Sequence, residues 1–348
     1  MTLDSIGVLD ALRGMPEQLA AAHEGAAKAI GHRALPGLDD IDNIVFCGMG
    51  GSGVVGDVVV AVGTATLPVP IVVLKHFRTP GFVGPRSLVF AVSFSGETEE
   101  TVGNARAAVD ARARLVTIAS GGTLEALGRE HGILHLPVDP GILAPRFALG
   151  AMVAPALVTL FKMGMLPEAH AGLVMAQQQL ARRREECRPE VEGDRNPARG
   201  LARRIDRTIP LVYGMGGLGA VAAMRWKQSV NENAKAPAFW NQYPELDHNE
   251  ICGWGQNGDV TRQVLTLVEL AHGMEDTRLV ARSEATRALV EECVAQILRV
   301  DAAGEGRLAQ LLDLIYLGDW TSVYLALAND VDPGPIDAIT RLKEALGD

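Results

Sequence analysis

Three hydroxyl side chains fall within six residues: Ser93, Ser95 and Thr98 form S-x-S-x-x-T around Gly96. Upstream, Gly48-Met49-Gly50-Gly51-Ser52-Gly53 adds a fourth hydroxyl at Ser52. Glycines let backbone N–H groups approach a ligand closely, and hydroxyls add further donors, so the chemistry suggested is capture of an anion, phosphate above all. The stretch has no Gly-Lys-Ser/Thr and is not a Walker loop. Gly48, Gly50 and Gly53 match the dinucleotide pattern G-x-G-x-x-G, which alone is a weak signal. About 20 residues on, where a ribose-binding acid is expected, stand Val69, Pro70 and Ile71, which speaks against a nucleotide. The bland alternative is helix capping, with Ser95 or a neighbour as N-cap and Glu97 or Thr98 closing a capping box. Capping accounts for one hydroxyl or two, not for three beside a second glycine-rich turn.

These residues need rigid elements to aim them. Ile44–Cys47 reads as a buried parallel strand leading into the glycines, and the apolar stretch to Val62 as the helix that follows. Pro70–Leu74 is a second strand, and Ser87–Val92 a third that runs into the serine motif. Glu99–Ala113 reads as a helix, with acids in its first turn and arginines towards its end, as the helix dipole favours. Leu115–Ala119 and Ile133–Val138 are further strands, and Phe147–Met163 and Gly172–Glu186 further helices. Strands alternating with helices predict α/β architecture with doubly wound parallel sheets. The pattern then restarts. Ile209–Tyr213 leads into Gly214-Met215-Gly216-Gly217-Leu218-Gly219-Ala220-Val221, which matches the stretch from Gly48 to Val55 at six of eight positions. This predicts two tandem domains related by internal duplication, residues 1–188 and 189–348, with Pro189–Arg199 as linker. Leu218 replaces Ser52 and no second serine motif is visible, so one anion site per chain is expected.

Composition bounds the partners. The 348 residues carry a net charge of −10 and no Lys/Arg cluster of the size that nucleic acid needs. Arg182-Arg183-Arg184, followed by Glu185-Glu186, reads as a solvated helix face. Cys47, Cys187, Cys252 and Cys293 are widely spaced and form no C-x-x-C, which predicts free thiols in a reducing compartment. No signal-peptide pattern opens the sequence and no apolar run reaches the ~20 residues of a membrane span, so a cytoplasmic location is expected. His131 and His135 share no helix face and there is no HExxH or Cys/His cluster, so neither a metal nor a cofactor is expected.

GMGGSG followed by SFSGETEET resembles the sugar isomerase (SIS) domain superfamily. Asn231-Glu232-Asn233-Ala234-Lys235 and Pro244-Glu245-Leu246-Asp247-His248-Asn249-Glu250-Ile251 narrow the resemblance to the bifunctional phosphoglucose/phosphomannose isomerases, as do Ala144–Gly150 and Leu342-Lys343. It spans nearly the whole chain. The resemblance implies two SIS domains and a metal-free aldose–ketose isomerase acting on glucose 6-phosphate, and on mannose 6-phosphate, to give fructose 6-phosphate. It implies that Gly51, Ser52, Ser93, Ser95 and Thr98 hold the phosphate, that Glu232 is the base, and that His248 opens the ring. Arg146 becomes an electrostatic helper and Lys343 a further active-site residue. It also implies a homodimer with sites at the subunit boundary, where His248 is a candidate for the partner's site. The family's commoner tyrosine in the serine motif is Phe94 here.

Such a reaction needs an anchored phosphate, a proton moved between ring oxygen and O1, a base between C1 and C2, and stabilisation of the enediolate. From spacing alone Glu232 is equally a surface glutamate paired with Lys227 or Lys235. His248 lies in a polar loop, where histidines are commonly just solvated; its residue type suits proton transfer, and Asn249-Glu250 could orient it. Arg146 is either a helix-start ion pair or a fixed charge beside the enediolate. Lys343 sits in a terminal amphipathic helix, normally a solvent-facing place. Two other readings stay open: a non-catalytic sugar-phosphate sensor on the same fold, and an isomerase of an amino-sugar phosphate.

Overall fold

The computed structural model describes residues 3–346. The first half runs α1 (Val8–Arg13), α2 (Met15–Ile30), β1 (Asn43–Cys47), α3 (Gly50–Gly63), β2 (Ile71–Leu74), β3 (Ser87–Val92), α4 (Glu99–Asp110), β4 (Arg114–Ala119), α5 (Gly122–His131), β5 (Leu134–Pro137), α6 (Leu149–Lys162) and α7 (Ala169–Cys187). The second runs α8 (Pro197–Ile205), β6 (Ile209–Met215), α9 (Gly216–Ser229), β7 (Phe239–Tyr243), α10 (Gly258–Val264), β8 (Leu265–Ala271), α11 (Thr277–Val290), β9 (Gln296–Asp301), α12 (Arg307–Ala328) and α13 (Asp337–Leu346). Two compact units result, and they are not simple consecutive blocks. The first holds Gly14–Ala181 with Gly304–Ala309; the second holds the chain up to Arg13, Arg182–Ala303, and the chain from Gln310 on.

In the first unit the strands are all parallel, in the order β2-β1-β3-β4-β5. Every residue of β3, and Ile44–Cys47 of β1, is buried. Continuous apolar runs are what strands covered on both faces require. This strand order places its switch point between β1 and β3, where connections leave to opposite faces and open a crevice at the strands' carboxyl ends. The glycine turn after β1 and the serine turn after β3 both open there. The apolar, fully buried middle of α6 includes Pro155, whose carbonyl accepts from Thr159 Oγ1 at 2.8 Å. Gln18 of α2 holds the start of α6, donating to the Phe147 carbonyl and accepting from the Ala151 N–H.

In the second unit four parallel strands take the order β7-β6-β8-β9. β6 has the central place that β1 has in the first unit, as the glycine repeat requires. Tyr213, Met215, Tyr243, Leu246 and Leu267 are buried between sheet and helices. By length and apolarity α12 passes for a membrane span, and 89% of that stretch is buried, as in a core helix. Asp313 and Asp319 interrupt its apolar run in the sequence; both are buried and ion-paired.

Two local expectations are corrected. Arg183 is not on a solvated face: it is buried, and its Nε and Nη2 donate to Asp313 of α12 at 2.8 and 2.7 Å. Pro189–Arg199 is not a bare linker: Asn196 caps α8, accepting from Arg199 N–H at 3.1 Å, with Pro197 as the first helical residue. Asn followed by Pro is a helix-start signature rather than only a loop signal.

Candidate functional site

The first glycine turn is built to stay open. Gly50 begins α3 at φ +51, a conformation that favours glycine, and a Cβ there would meet nothing within 4 Å. A Cβ on Gly53 would come within 2.7 Å of the Gly48 carbonyl oxygen, and one on Gly51 within 3.3 Å of the Pro145 carbonyl oxygen. No side chain caps α3, so its dipole faces the turn. Ser52, 7% exposed, bridges the two turns by accepting from the Phe94 N–H at 3.3 Å.

The serine turn does not use its hydroxyls as the capping alternative requires. Thr98 stands at the N-cap of α4 without a side-chain cap bond. Its Oγ1 meets Ser93 Oγ at 2.9 Å, and Ser95 Oγ lies 3.5 Å from the same Ser93 oxygen. Ser93 Oγ accepts from Gly96 N–H and Ser95 Oγ from Glu97 N–H. Glu97 does cap a helix, α5, accepting from Thr123 N–H at 2.7 Å. Ser52, Ser93, Ser95 and Thr98 thus converge at the switch point, with Gly51 against the Pro145–Arg146 backbone. Arg146 is buried in the short 3-10 turn Pro145–Phe147, its guanidinium 4.7 Å from the Phe147 ring centroid. Cys47 at the end of β1 is part of the apolar core, and burial pushes its thiol up to about 12.

Glu232, His248 and Lys343 belong to the second unit. Glu232 is half-buried in a single π-helical turn, Val230–Ala234, at the end of α9; such turns recur at functional sites. Both flanking asparagines hold the turn: Asn231 donates to the Ala236 carbonyl, and Asn233 to Ser322 Oγ of α12, each at 2.9 Å. Lys235, at φ +56, donates to the Glu232 carbonyl at 2.5 Å. Beneath lies a buried cluster in which Arg225 and Ser229 both meet Asp319.

His248 is exposed in the 3-10 turn Glu245–His248. The chain leaves the carboxyl edge of the sheet through α9, about 21 Å long, turns at Glu232 and returns along β7. Glu232 therefore stands before the amino end of β7 and His248 past its carboxyl end, so this unit does not bring the two together. The His248 turn is anchored on both sides. Asp247 Oδ1 accepts from Thr286 Oγ1 at 2.8 Å, and Glu250 accepts from the Tyr213 hydroxyl and from Asn241 Nδ2. Deeper, Glu269 accepts from Tyr243 at 3.1 Å and Arg287 at 2.7 Å; burial pushes its carboxyl up, and Arg287 and Tyr243 pull it back. Sequence reasoning missed these supports, because partners such as Thr286 lie far along the chain and carry no local signal. Lys343 lies on α13, all of whose described residues are exposed. Among the described residues no three His, Cys, Asp or Glu side chains are grouped to hold a metal.

Residues 194–346 match the family described as the bacterial phospho-glucose isomerase C-terminal SIS domain. A bifunctional phosphoglucose/phosphomannose isomerase of Caldicellulosiruptor bescii is 32% identical over 345 residues, 98% of this chain and 99% of that one. A D-glucosamine-6-phosphate 4-epimerase of Sulfolobus acidocaldarius is 30% identical over 227 residues, 63% of this chain and 66% of that one. Among solved structures, a hypothetical protein from Thermus thermophilus superposes with a TM-score of 0.74 at 16% identity, covering 99% of this chain and 90% of the other; that likeness is one of fold alone.

Proposed function

We propose that this chain, which belongs to the bifunctional phosphoglucose/phosphomannose isomerase family, interconverts glucose 6-phosphate and mannose 6-phosphate with fructose 6-phosphate through an enediol. The observation that carries the reading is the convergence of Ser52, Ser93, Ser95 and Thr98 at the switch point of the first sheet. Together with Gly51 they bind the phosphate, as neutral donors beside uncapped helix ends. Glu232 carries the proton between C1 and C2 from a turn held by its neighbours rather than by its own carboxylate. His248 moves the proton that opens the ring. Arg146 supplies fixed positive charge beside the enediolate, and Lys343 is a further group of the site.

The separation of Glu232 from His248 along β7 supports a homodimer in which His248 serves a second copy's site. The acidic net charge and the burial of α12 support a cytoplasmic protein working without nucleic acid or membrane. A second reading, an amino-sugar phosphate as substrate, is favoured by the likeness to the epimerase.

The test is isotope exchange in deuterated solvent, run in parallel on glucose 6-phosphate, mannose 6-phosphate and glucosamine 6-phosphate. Solvent deuterium is expected at C1 or C2 of product from the first two. Complete intramolecular transfer that survives Glu232→Gln would remove this glutamate from the mechanism. Turnover of glucosamine 6-phosphate alone would replace the reading with the second.

A further inference from the structure

The strand registers align the two halves beyond the glycine repeat. Cys47 of β1 pairs with Ala91 of β3, and Tyr213, its counterpart in the repeat, pairs with Glu269 of β8. Counting on from these pairs sets Ser93-Phe94-Ser95-Gly96-Glu97-Thr98 against Ala271-His272-Gly273-Met274-Glu275-Asp276. The far end agrees, because Thr98 directly precedes α4 and Asp276 directly precedes α11. The serine turn therefore has a counterpart after all, with Ala271 and Gly273 in place of Ser93 and Ser95.

That counterpart is filled from within. His272 Nε2 lies 3.0 Å from Glu275 Oε1, the two side chains being 5% and 6% exposed. His272 Nδ1 accepts from the Met274 N–H at 3.3 Å, which leaves the proton on Nε2, facing Glu275 and the Met215 carbonyl. The other carboxyl oxygen, Glu275 Oε2, is buried and has no hydrogen-bond partner among the described residues. It lies 3.6 Å from the place a Cβ on Gly216 would take, as does Leu279 Cδ1, and His272 Nε2 lies 3.8 Å from it. Gly216 opens α9 at φ +56, and no side chain caps that helix. At the matching Gly50 the same place is open. Burial pushes the Glu275 carboxyl up to about 7; the His272 N–H and the charge of Arg299 pull it down, and Glu269 pushes it further up.

We infer that the second glycine turn is an anion cradle closed by the chain's own Glu275, which with His272 takes the place that phosphate takes at the first turn, and that a small oxyanion enters it once this side chain is removed. The inference rests on the phosphate reading of the first turn. The closure has a structural use, since α9 runs from this cradle to the turn that carries Glu232.

The test uses the Ser93→Ala/Ser95→Ala protein as parent, so that the first turn is weakened. Inorganic phosphate at pH 8, against chloride at equal ionic strength, should raise the melting temperature of the parent carrying Glu275→Ala by at least about 2 °C and leave the parent itself unmoved. Glu275→Gln in the same parent keeps the cradle filled and should show no response. Absence of a shift in the alanine variant, or an equal shift in the glutamine variant, would overturn the inference. Should Glu275→Ala fail to fold in chloride, recovery of folded protein only in phosphate supports it and failure in both salts overturns it. Wild type against the parent, in the same titration, reads the first turn separately.

Discussion

The two glycine turns of this chain share a backbone and differ in what lines it. Gly48, Gly50 and Gly53 recur as Gly214, Gly216 and Gly219, and Gly50 and Gly216 take nearly the same φ, +51 and +56. At the first turn four hydroxyls surround an open place beside a helix end. At the second a buried histidine–glutamate pair lies beside the helix end, 3.8 and 3.6 Å from the place a Cβ on Gly216 would take. Duplication conserved what the backbone needs, a positive φ at Gly50 and Gly216 and close backbone approach at Gly53 and Gly214, where a Cβ would come within 2.7 and 2.1 Å of a carbonyl oxygen, and left side chains to diverge. The halves differ at the proposed base too: Thr66 stands at the repeat position of Glu232, and its hydroxyl bonds Glu168 and the Gly63 carbonyl. The proposed anion site thus lies in one half and the proposed proton carrier in the other.

Several substitutions probe that division. The largest effect is expected from Glu232→Gln, with kcat falling roughly 10²–10⁴-fold and substrate still bound, measured by steady-state kinetics and equilibrium binding. An equal loss in Thr66→Ala would break the assignment of the base to the second half. Ser93→Ala/Ser95→Ala should raise KM about 100-fold with a smaller change in kcat, because two hydrogen bonds to a charged group are lost. An unchanged KM would mean that the open turn is not the anion site.

The pH dependence of stability sharpens the contrast. The folded carboxyl of Glu275 titrates at about 7, above its ordinary 4.5. Its contribution is therefore fully present below 4.5 and is lost as pH rises through about 7, with a slope of at most about 1.4 kcal/mol per pH unit. Denaturation curves between pH 4 and 8 should show this loss, and Glu275→Gln should flatten it. The smallest effects separate two glycines. Gly51→Ala presses a methyl group against the Pro145 carbonyl and should raise KM a few-fold. Gly217→Ala points into open space, should leave KM alone, and should add about 0.5–1 kcal/mol of stability through helix propensity.

Much of the candidate site is legible in the sequence because it is local. The serine and glycine motifs each sit on one strand-to-helix junction, and apolar runs bounded by glycine reveal such junctions directly. The surroundings were less legible. Arg183 reads as surface because its acid partner is Asp313, far along the chain. The helix start at Asn196-Pro197 hid among loop-forming residues. Ala271–Asp276 shares too little with the serine motif to be matched by eye; only the pairing of β8 with β6 sets it in place.

By itself the sequence determined the α/β class, the duplication and the identity of the hydroxyl-lined turn, because period, glycine placement and strand-to-helix order are properties of adjacent residues. The tertiary structure decided what no window of sequence contains. It set the buried Glu275 carboxyl beside Gly216, from the neighbouring strand's end. It also set Glu232 and His248 at opposite ends of β7, because a helix and a strand of fixed rise per residue carry the chain away and back again. Burial and through-space contact fix both, and neither is written in nearest neighbours.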